Sequence, residues 1–160
     1  MFALTRRSVL LALALAASAT AATAQSVPNL TGTWVMDAAK SDFGPMPAPK
    51  SRSDAIDHRE PSLMIKRTIV QDGGPSATIE LNYGIDGKTY PNTTPQGTIT
   101  STLAWEGPVL VITSHAEVQG GTADIVDRMT LSADGKTLTQ GRTILVQGQE
   151  IKQTFVLAKQ

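Results

Sequence analysis

The sequence predicts an all-β protein, a single up-and-down antiparallel β-barrel of about 8–10 strands. Three observations support this fold class. Short stretches of alternating apolar and polar residues recur along the chain, glycine-containing turns separate them, and helix-favouring runs are absent after residue 24. In an open sheet, so many strands would leave exposed edges in a small protein, whereas closure into a barrel removes those edges.

The first 24 residues have the pattern of a cleaved secretory signal. Arg6-Arg7 is its basic start, Val9–Ala17 is an apolar run too short to span a bilayer, and Ala22-Thr23-Ala24 is a small-x-small cleavage site. We therefore expect a signal peptide at 1–24, one barrel domain at 25–160 and a periplasmic or secreted location. The arginine pair also fits twin-arginine export, so the general secretory (Sec) and twin-arginine routes both stay open.

Composition and charge exclude several classes of function. The chain has no cysteine, which excludes disulfides and thiolate chemistry. Without its first 24 residues it has 12 basic and 14 acidic residues, a net charge of −2, whereas a nucleic-acid partner would require a basic face. The sequence has no nucleophile elbow, phosphate loop or dinucleotide fingerprint. We expect no catalytic residue, no cofactor, no nucleic-acid partner and no transmembrane segment; the oligomeric state stays open.

Alternation of apolar and polar residues defines the individual strands. The clearest case is the stretch from Ala77 to Tyr83, after which Asp86-Gly87 predicts a hairpin turn. Lys88–Pro95 is short and irregular. The other predicted strands are, in chain order, Thr31–Met36, Arg52–His58, Leu63–Val70, Gly97–Trp105, Val109–Val118, Thr122–Ser132, Thr137–Gln147 and Glu150–Ala158.

The segment between the first two strands does not have a strand pattern. Asp37 to Ser41 fits a single capped turn. Gly44 to Pro49 must be extended, because its three prolines lack amide donors and favour polyproline II. Such a segment is either a plain surface connector or a strap across one end of the barrel.

Two-residue turns predict the register of the last five strands. The turns are placed at Glu106-Gly107, Gly120-Gly121, Asp134-Gly135 and Gln147-Gly148, and each choice sets apolar residues opposite apolar residues. The predicted pairs are Leu103 with Leu110, Val118 with Ala123, Ala116 with Ile125, Ile112 with Met129, Leu110 with Leu131, Leu131 with Leu138, Ile125 with Ile144, Ile144 with Ile151, and Leu138 with Leu157.

The same register places a row of polar residues on the apolar face. Ser114 lies opposite Asp127, Asp127 opposite Arg142, and Arg142 opposite Gln153. Cross-strand neighbours are about 5 Å apart, so Asp127 and Arg142 can form a two-bonded pair, with Ser114 and Gln153 satisfying the remaining groups. Either the row is a buried network that pins the register, or it lines a cavity in which Arg142 donates to a ligand carboxylate or phosphate.

Two stretches resemble a group of small secreted bacterial proteins with lipocalin-like β-barrels, namely Leu30–Trp34 (LTGTW) and Lys40–Pro45 (KSDFGP). The resemblance implies a barrel that binds a small apolar molecule and whose base is closed by Trp34, the tryptophan of the Gly-x-Trp. It leaves Arg142 as the candidate for the arginine that stacks over this tryptophan. The Thr-Asp-Tyr motif and the C-terminal helix of true lipocalins are missing.

The remaining aromatic and histidine residues give weaker signals. Trp105 has inward parity and either lines the cavity mouth or covers the end of the core. His115 and Glu117 share a face, with Asp124 opposite Glu117 in this register. That face should be solvent, and a structural metal site requires a fuller ligand set, so we expect no metal.

These observations predict a non-enzymatic, exported protein that binds a small apolar or amphipathic molecule inside a β-barrel. The alternative is an envelope protein-interaction or structural module with a filled barrel and no ligand. The candidate ligand-binding residues are Ser114, Asp127, Arg142, Gln153 and Trp105, with Trp34 as the barrel-closing residue.

Overall fold

The structure, a computed structural model, describes residues 27–118 and 121–160. The expected signal peptide lies outside the described residues, and so does the arginine pair on which the choice of export route depends. Within them no helix is long and apolar enough to cross a membrane. The described chain forms ten strands in one sheet: β1 (Gly32–Met36), β2 (Ser51–Arg59), β3 (Ser62–Val70), β4 (Ser76–Gly84), β5 (Thr89–Thr94), β6 (Gly97–Glu106), β7 (Val109–Val118), β8 (Gly121–Leu131), β9 (Thr137–Val146) and β10 (Gln149–Lys159).

The sheet curls into a nearly closed antiparallel barrel, which confirms the predicted fold class. Its strand order is β4-β3-β2-β1-β10-β9-β8-β7-β6-β5. The first and last strands are neighbours, and the strands on either side of them follow one another as a meander. A single turn of 3₁₀ helix, Ala38–Lys40, follows β1, where the sequence predicts a capped turn, although the Asp37 side chain makes no capping hydrogen bond.

The two end strands of the sheet, β4 and β5, are neighbours in the barrel, but no ladder of backbone hydrogen bonds joins them. The prediction that they form a hairpin around Asp86-Gly87 is therefore wrong. The Tyr90 side chain lies against the backbone of Gly84, so that a Cβ added at Gly84 would clash with the Tyr90 hydroxyl oxygen. One side chain bridges the gap: Asn92 Oδ1 accepts from the Asn82 amide at 2.7 Å, and Asn92 Nδ2 donates to the Asn82 carbonyl at 3.2 Å.

Two of the four predicted turns are confirmed and two are wrong. The Asp134-Gly135 and Gln147-Gly148 turns give the observed pairs, among them Asp127 with Arg142 and Arg142 with Gln153. The β6–β7 turn is instead Gly107-Pro108, which pairs Leu103 with Ile112, because proline has no amide proton for the ladder.

The β7–β8 register also differs from the prediction. Val118 pairs with Gly121, Leu110 with Met129 and Ala116 with Ala123, a shift of two residues that leaves every side chain on its predicted face. The backbone at Gly121 has φ of +149°, which glycine adopts without steric cost because it has no Cβ. The turn residues 119 and 120 lie outside the described part of the chain.

One end of the barrel is packed around Trp34, which is fully buried. Its Nε1 donates to the Leu30 carbonyl at 2.9 Å, and the Leu30 amide donates to Nδ1 of the buried His58 at 3.2 Å. Lys159 Nζ lies 5.3 Å from the centre of the Trp34 ring. The stacking role expected of Arg142 is therefore wrong, since Arg142 lies over Phe155 instead, 5.8 Å from its ring centre.

Candidate ligand-binding cavity

Beyond the packed end, the barrel encloses a cavity of about 580 Å³. Alternate residues of the strands face inward, and most of those in the cavity wall are apolar. The apolar wall includes Ile65, Ile79, Leu81, Ile99, Ile112, Ile125, Met129, Ile144 and Ile151. The polar side chains on the wall include Arg67, Tyr83, Ser114, Asp127, Gln140 and Arg142. The interior is thus an apolar space with polar side chains that come from β3 and β4 as well as from β7, β8 and β9.

Residues 42–50, which we call the strap, lie over this cavity. Met46 lines it. Asp42 pairs with β10 through a bridge to Thr154, and Gln153 Nε2 donates to the Phe43 carbonyl at 3.1 Å. Of the two interpretations of this proline-rich segment, the structure supports a strap across the barrel and not a plain surface connector.

A buried carboxylate, Asp54, holds two arginines together. It accepts hydrogen bonds from Arg52 Nε at 3.1 Å and Arg52 Nη2 at 2.6 Å. It also accepts from Arg67 Nε at 2.9 Å and Arg67 Nη2 at 2.8 Å. Both are the two-bonded fork geometry in which guanidinium and carboxylate match best. Asp54 is therefore shielded by arginine on two sides.

A second carboxylate, Asp127, continues these contacts across the barrel. It accepts from Arg142 Nε at 2.7 Å and Nη2 at 2.9 Å, and from Gln140 Nε2 at 2.7 Å. Gln140 Oε1 accepts a hydrogen bond from Arg52 Nη2. These contacts make one continuous polar network, composed of Arg52, Asp54, Arg67, Asp127, Gln140 and Arg142.

The electrostatics of the polar network keep its members charged. Burial by itself raises the pKa of Asp54, but the Arg67 and Arg52 charges and hydrogen bonds hold that pKa well below its usual range. Burial likewise raises the pKa of Asp127, and Arg142 and Gln140 outweigh it, so this pKa is lowered. Burial and the neighbouring Arg67 lower the pKa of Arg52 to about 10. Three cations and two anions give the network a formal charge of +1.

The predicted polar row is brought together in part. Asp127 and Arg142 form the expected two-bonded pair on the cavity wall. Gln153 lies opposite Arg142 in the ladder, but its side chain holds the strap. The prediction that Ser114 faces Asp127 is wrong, because the shifted β7–β8 register sets Ser114 opposite Ile125. Ser114 still lines the cavity and shares a 2.8 Å hydrogen bond with Ser101.

Trp105 lies at the packed end and does not line the main cavity. Its Nε1 donates to Glu60 Oε1 at 2.7 Å, and its ring lies against His58, with 5.9 Å between ring centres. Of its two interpretations, covering the end of the core matches this position. Trp34, the residue predicted to close the barrel, is buried at the same packed end.

Sequence reasoning missed four of the six members of the polar network, namely Arg52, Asp54, Arg67 and Gln140. The signal was present in the strand pattern. On β2, Arg52 and Asp54 share the parity of the buried Ile56, and on β3 Arg67 shares that of the buried Ile65. Residues two apart on a strand face the same side, so these charges had to point inward.

The face with His115, Glu117 and Asp124, on which we expected no metal, is arranged differently from the prediction. Asp124 pairs with His115, not with Glu117, because of the same two-residue shift. The His115 Nδ1 to Asp124 Oδ1 distance is 2.7 Å, and both side chains are exposed. Among the described residues there is no group of three or more His, Cys, Asp or Glu side chains that could hold a metal ion.

Comparisons with known proteins identify a shared fold. No family model matches the sequence, and no curated protein matches it significantly. Among solved structures, the chain is similar to a mutant of the fluorescent protein UnaG, with a TM-score of 0.57 and 14% sequence identity. The match covers 81% of this chain and 95% of that one. The similarity shows that the two chains share a β-barrel fold.

Proposed function

We propose that this chain is an exported binding protein that holds a small apolar or amphipathic molecule inside its barrel. The observation that carries the proposal is the cavity of about 580 Å³. Ligand sites in proteins typically have volumes of about 300–1,000 Å³ and apolar walls with a few polar groups. The similarity to a barrel of the ligand-binding kind supports the same conclusion, and the leader sequence supports export.

The alternative is a filled barrel that works through its outer surface. It requires side chains to fill the interior. The volume of the cavity is the observation against it. The outer surface of the described residues gives that alternative no positive support, because the exposed large apolar side chains, such as Val35, Met64 and Leu145, are scattered singly. Scattered exposed apolar residues are normal on a soluble surface.

Native mass spectrometry of residues 25–160, purified from the periplasm without detergent, tests the proposal. We expect an added mass that disappears on denaturation. Ala116→Phe places a ring in the cavity wall and should abolish the added mass. Thr113→Phe places the same ring on the exposed face of the same strand and should retain it. An added mass that survives Ala116→Phe, or a clean apo mass together with no binding of decanoate or decan-1-ol, would contradict the proposal.

A further inference from the structure

A second, smaller chamber of about 180 Å³ adjoins the main cavity beneath the strap. Phe43, Met46 and Pro47 of the strap lie on one side of it, and the arginines Arg52, Arg67 and Arg142 lie on the other. Met46, Arg67 and Arg142 also line the main cavity, so the two spaces meet at these residues. We call the smaller space the side chamber.

The polar network leaves some donors of the arginines that line the side chamber unused. The network uses Nε and Nη2 of Arg52, Arg67 and Arg142, so the Nη1 amino group of each arginine stays outside it. Among the described residues, no side-chain nitrogen or oxygen is both sealed from solvent and unpaired. These Nη1 groups therefore face space that water can enter, although Arg52 is only 3% exposed as a residue.

The charges around the side chamber favour an anion. The polar network has three arginines and two aspartates, and neither aspartate lines the side chamber, nor does any other carboxylate. The guanidinium groups of Arg52 and Arg142 contact the ring of Phe155, at 4.7 Å and 5.8 Å from its centre, which holds their positions. A buried excess cation is costly unless an anion partners it. One more negative group in the side chamber would therefore balance the formal charge of +1 on the polar network.

We infer that the side chamber binds the acidic headgroup, a carboxylate or a phosphate, of an amphipathic ligand whose apolar body lies in the main cavity. The inference rests on the proposed function and names the chemical class of its ligand. The strap closes over the headgroup, and the apolar chain passes between Met46 and the arginines into the barrel. An uncharged ligand of the same length lacks the charge-assisted hydrogen bonds to Nη1.

Isothermal titration of the mature protein with three probes tests the inference. Decanoate has head and tail, decan-1-ol has the tail alone, and acetate has the head alone. We expect decanoate to bind at least about tenfold more tightly than decan-1-ol, as one charged hydrogen bond requires, and acetate to bind more weakly than both. Equal affinity for decanoate and decan-1-ol overturns the inference and leaves the proposed function standing. Acetate binding as tightly as decanoate shows a site for free small anions and also overturns it.

Variants of Gln153, a residue of the side chamber outside the polar network, locate the headgroup. Gln153→Glu places a carboxylate on the side chamber, opposite Arg142 in the ladder. We expect it to weaken decanoate at least about tenfold and to leave decan-1-ol unchanged. Gln153→Met is the matched control, because it also loses the hydrogen bond to Phe43 but adds no charge, and it should keep the preference for decanoate. Equal weakening of both probes by Gln153→Glu, or loss of the preference in Gln153→Met, overturns the inference.

Discussion

Replacing Asp54 by asparagine should strongly destabilise the protein, because this carboxylate partners two arginines at once. Asp54 is fully buried and accepts four hydrogen bonds from Arg52 and Arg67. Asparagine has nearly the same shape, so the substitution removes charge without opening a cavity. It leaves three guanidinium groups inside the barrel with Asp127 as the remaining carboxylate of the network.

The expected cost is about 3–5 kcal/mol, the usual penalty for removing one partner of a buried ion pair. With a urea m-value of about 2 kcal/mol/M for a domain of this size, the midpoint of urea unfolding should fall by about 2 M. Asp57→Asn is the matched control, since Asp57 lies on the same strand in an exposed pair with Arg59 and should change stability by less than about 1 kcal/mol. A cost for Asp54→Asn as small as that of Asp57→Asn would refute the reasoning.

The dependence on pH gives a second check of the same carboxylate. The arginines outweigh burial and lower the folded-state pKa of Asp54 below its ordinary value of 3.8. Such a group contributes stability that is fully present above the unfolded-state pKa and is lost as the pH falls towards the folded-state value. The difference in unfolding free energy between wild type and Asp54→Asn should therefore narrow below about pH 4. A difference that widens in acid would contradict the assigned direction.

Three further substitutions test other parts of the fold. Asn92→Ala removes both hydrogen bonds across the β4–β5 gap and should cost about 1–3 kcal/mol in urea unfolding, with faster amide exchange along both strands. Lys159→Met removes the cation over Trp34 and should cost about 0.5–1 kcal/mol, measured by tryptophan fluorescence during unfolding. Gly84→Ala places a Cβ against Tyr90 and should lower the melting temperature, which Tyr90→Leu in the same chain should partly restore.

The fold class was predictable because it depends on features that a sequence displays directly, namely alternation and turn residues. Register was only partly predictable. Moving a two-residue turn by one position shifts the pairing by two residues, and since the side-chain period is two, every residue keeps its face. Apolar matching therefore could not distinguish the predicted turn at Glu106-Gly107 from the observed one at Gly107-Pro108. Only the missing amide of Pro108 distinguishes them.

The Asp127–Arg142 pair of the candidate site was predicted on β8 and β9, whereas Gln140 on β9 and the charged residues on β2 and β3 were missed. Asp127 and Arg142 were found because a confirmed turn, Asp134-Gly135, joins their strands. The contact between Arg52 and Gln140 could not be read from any turn, because their strands, β2 and β9, are separated by β1 and β10. Contact across the interior depends on barrel closure, which local patterns do not specify.

The polar row has two interpretations, a network that fixes the strand register and a donor to a ligand. In a hollow barrel the two roles go together. Where the interior is empty, opposite walls have no apolar contacts to fix their separation, and the Arg52–Gln140 hydrogen bond joins strands that are not neighbours in the sheet. A bridge made only of uncharged and fully paired side chains would leave no charged donor for a ligand. Because a guanidinium group has more donors than one carboxylate fork uses, the polar network can hold the walls through Nε and Nη2 of Arg52 and Arg142 and still offer Nη1 to an anion.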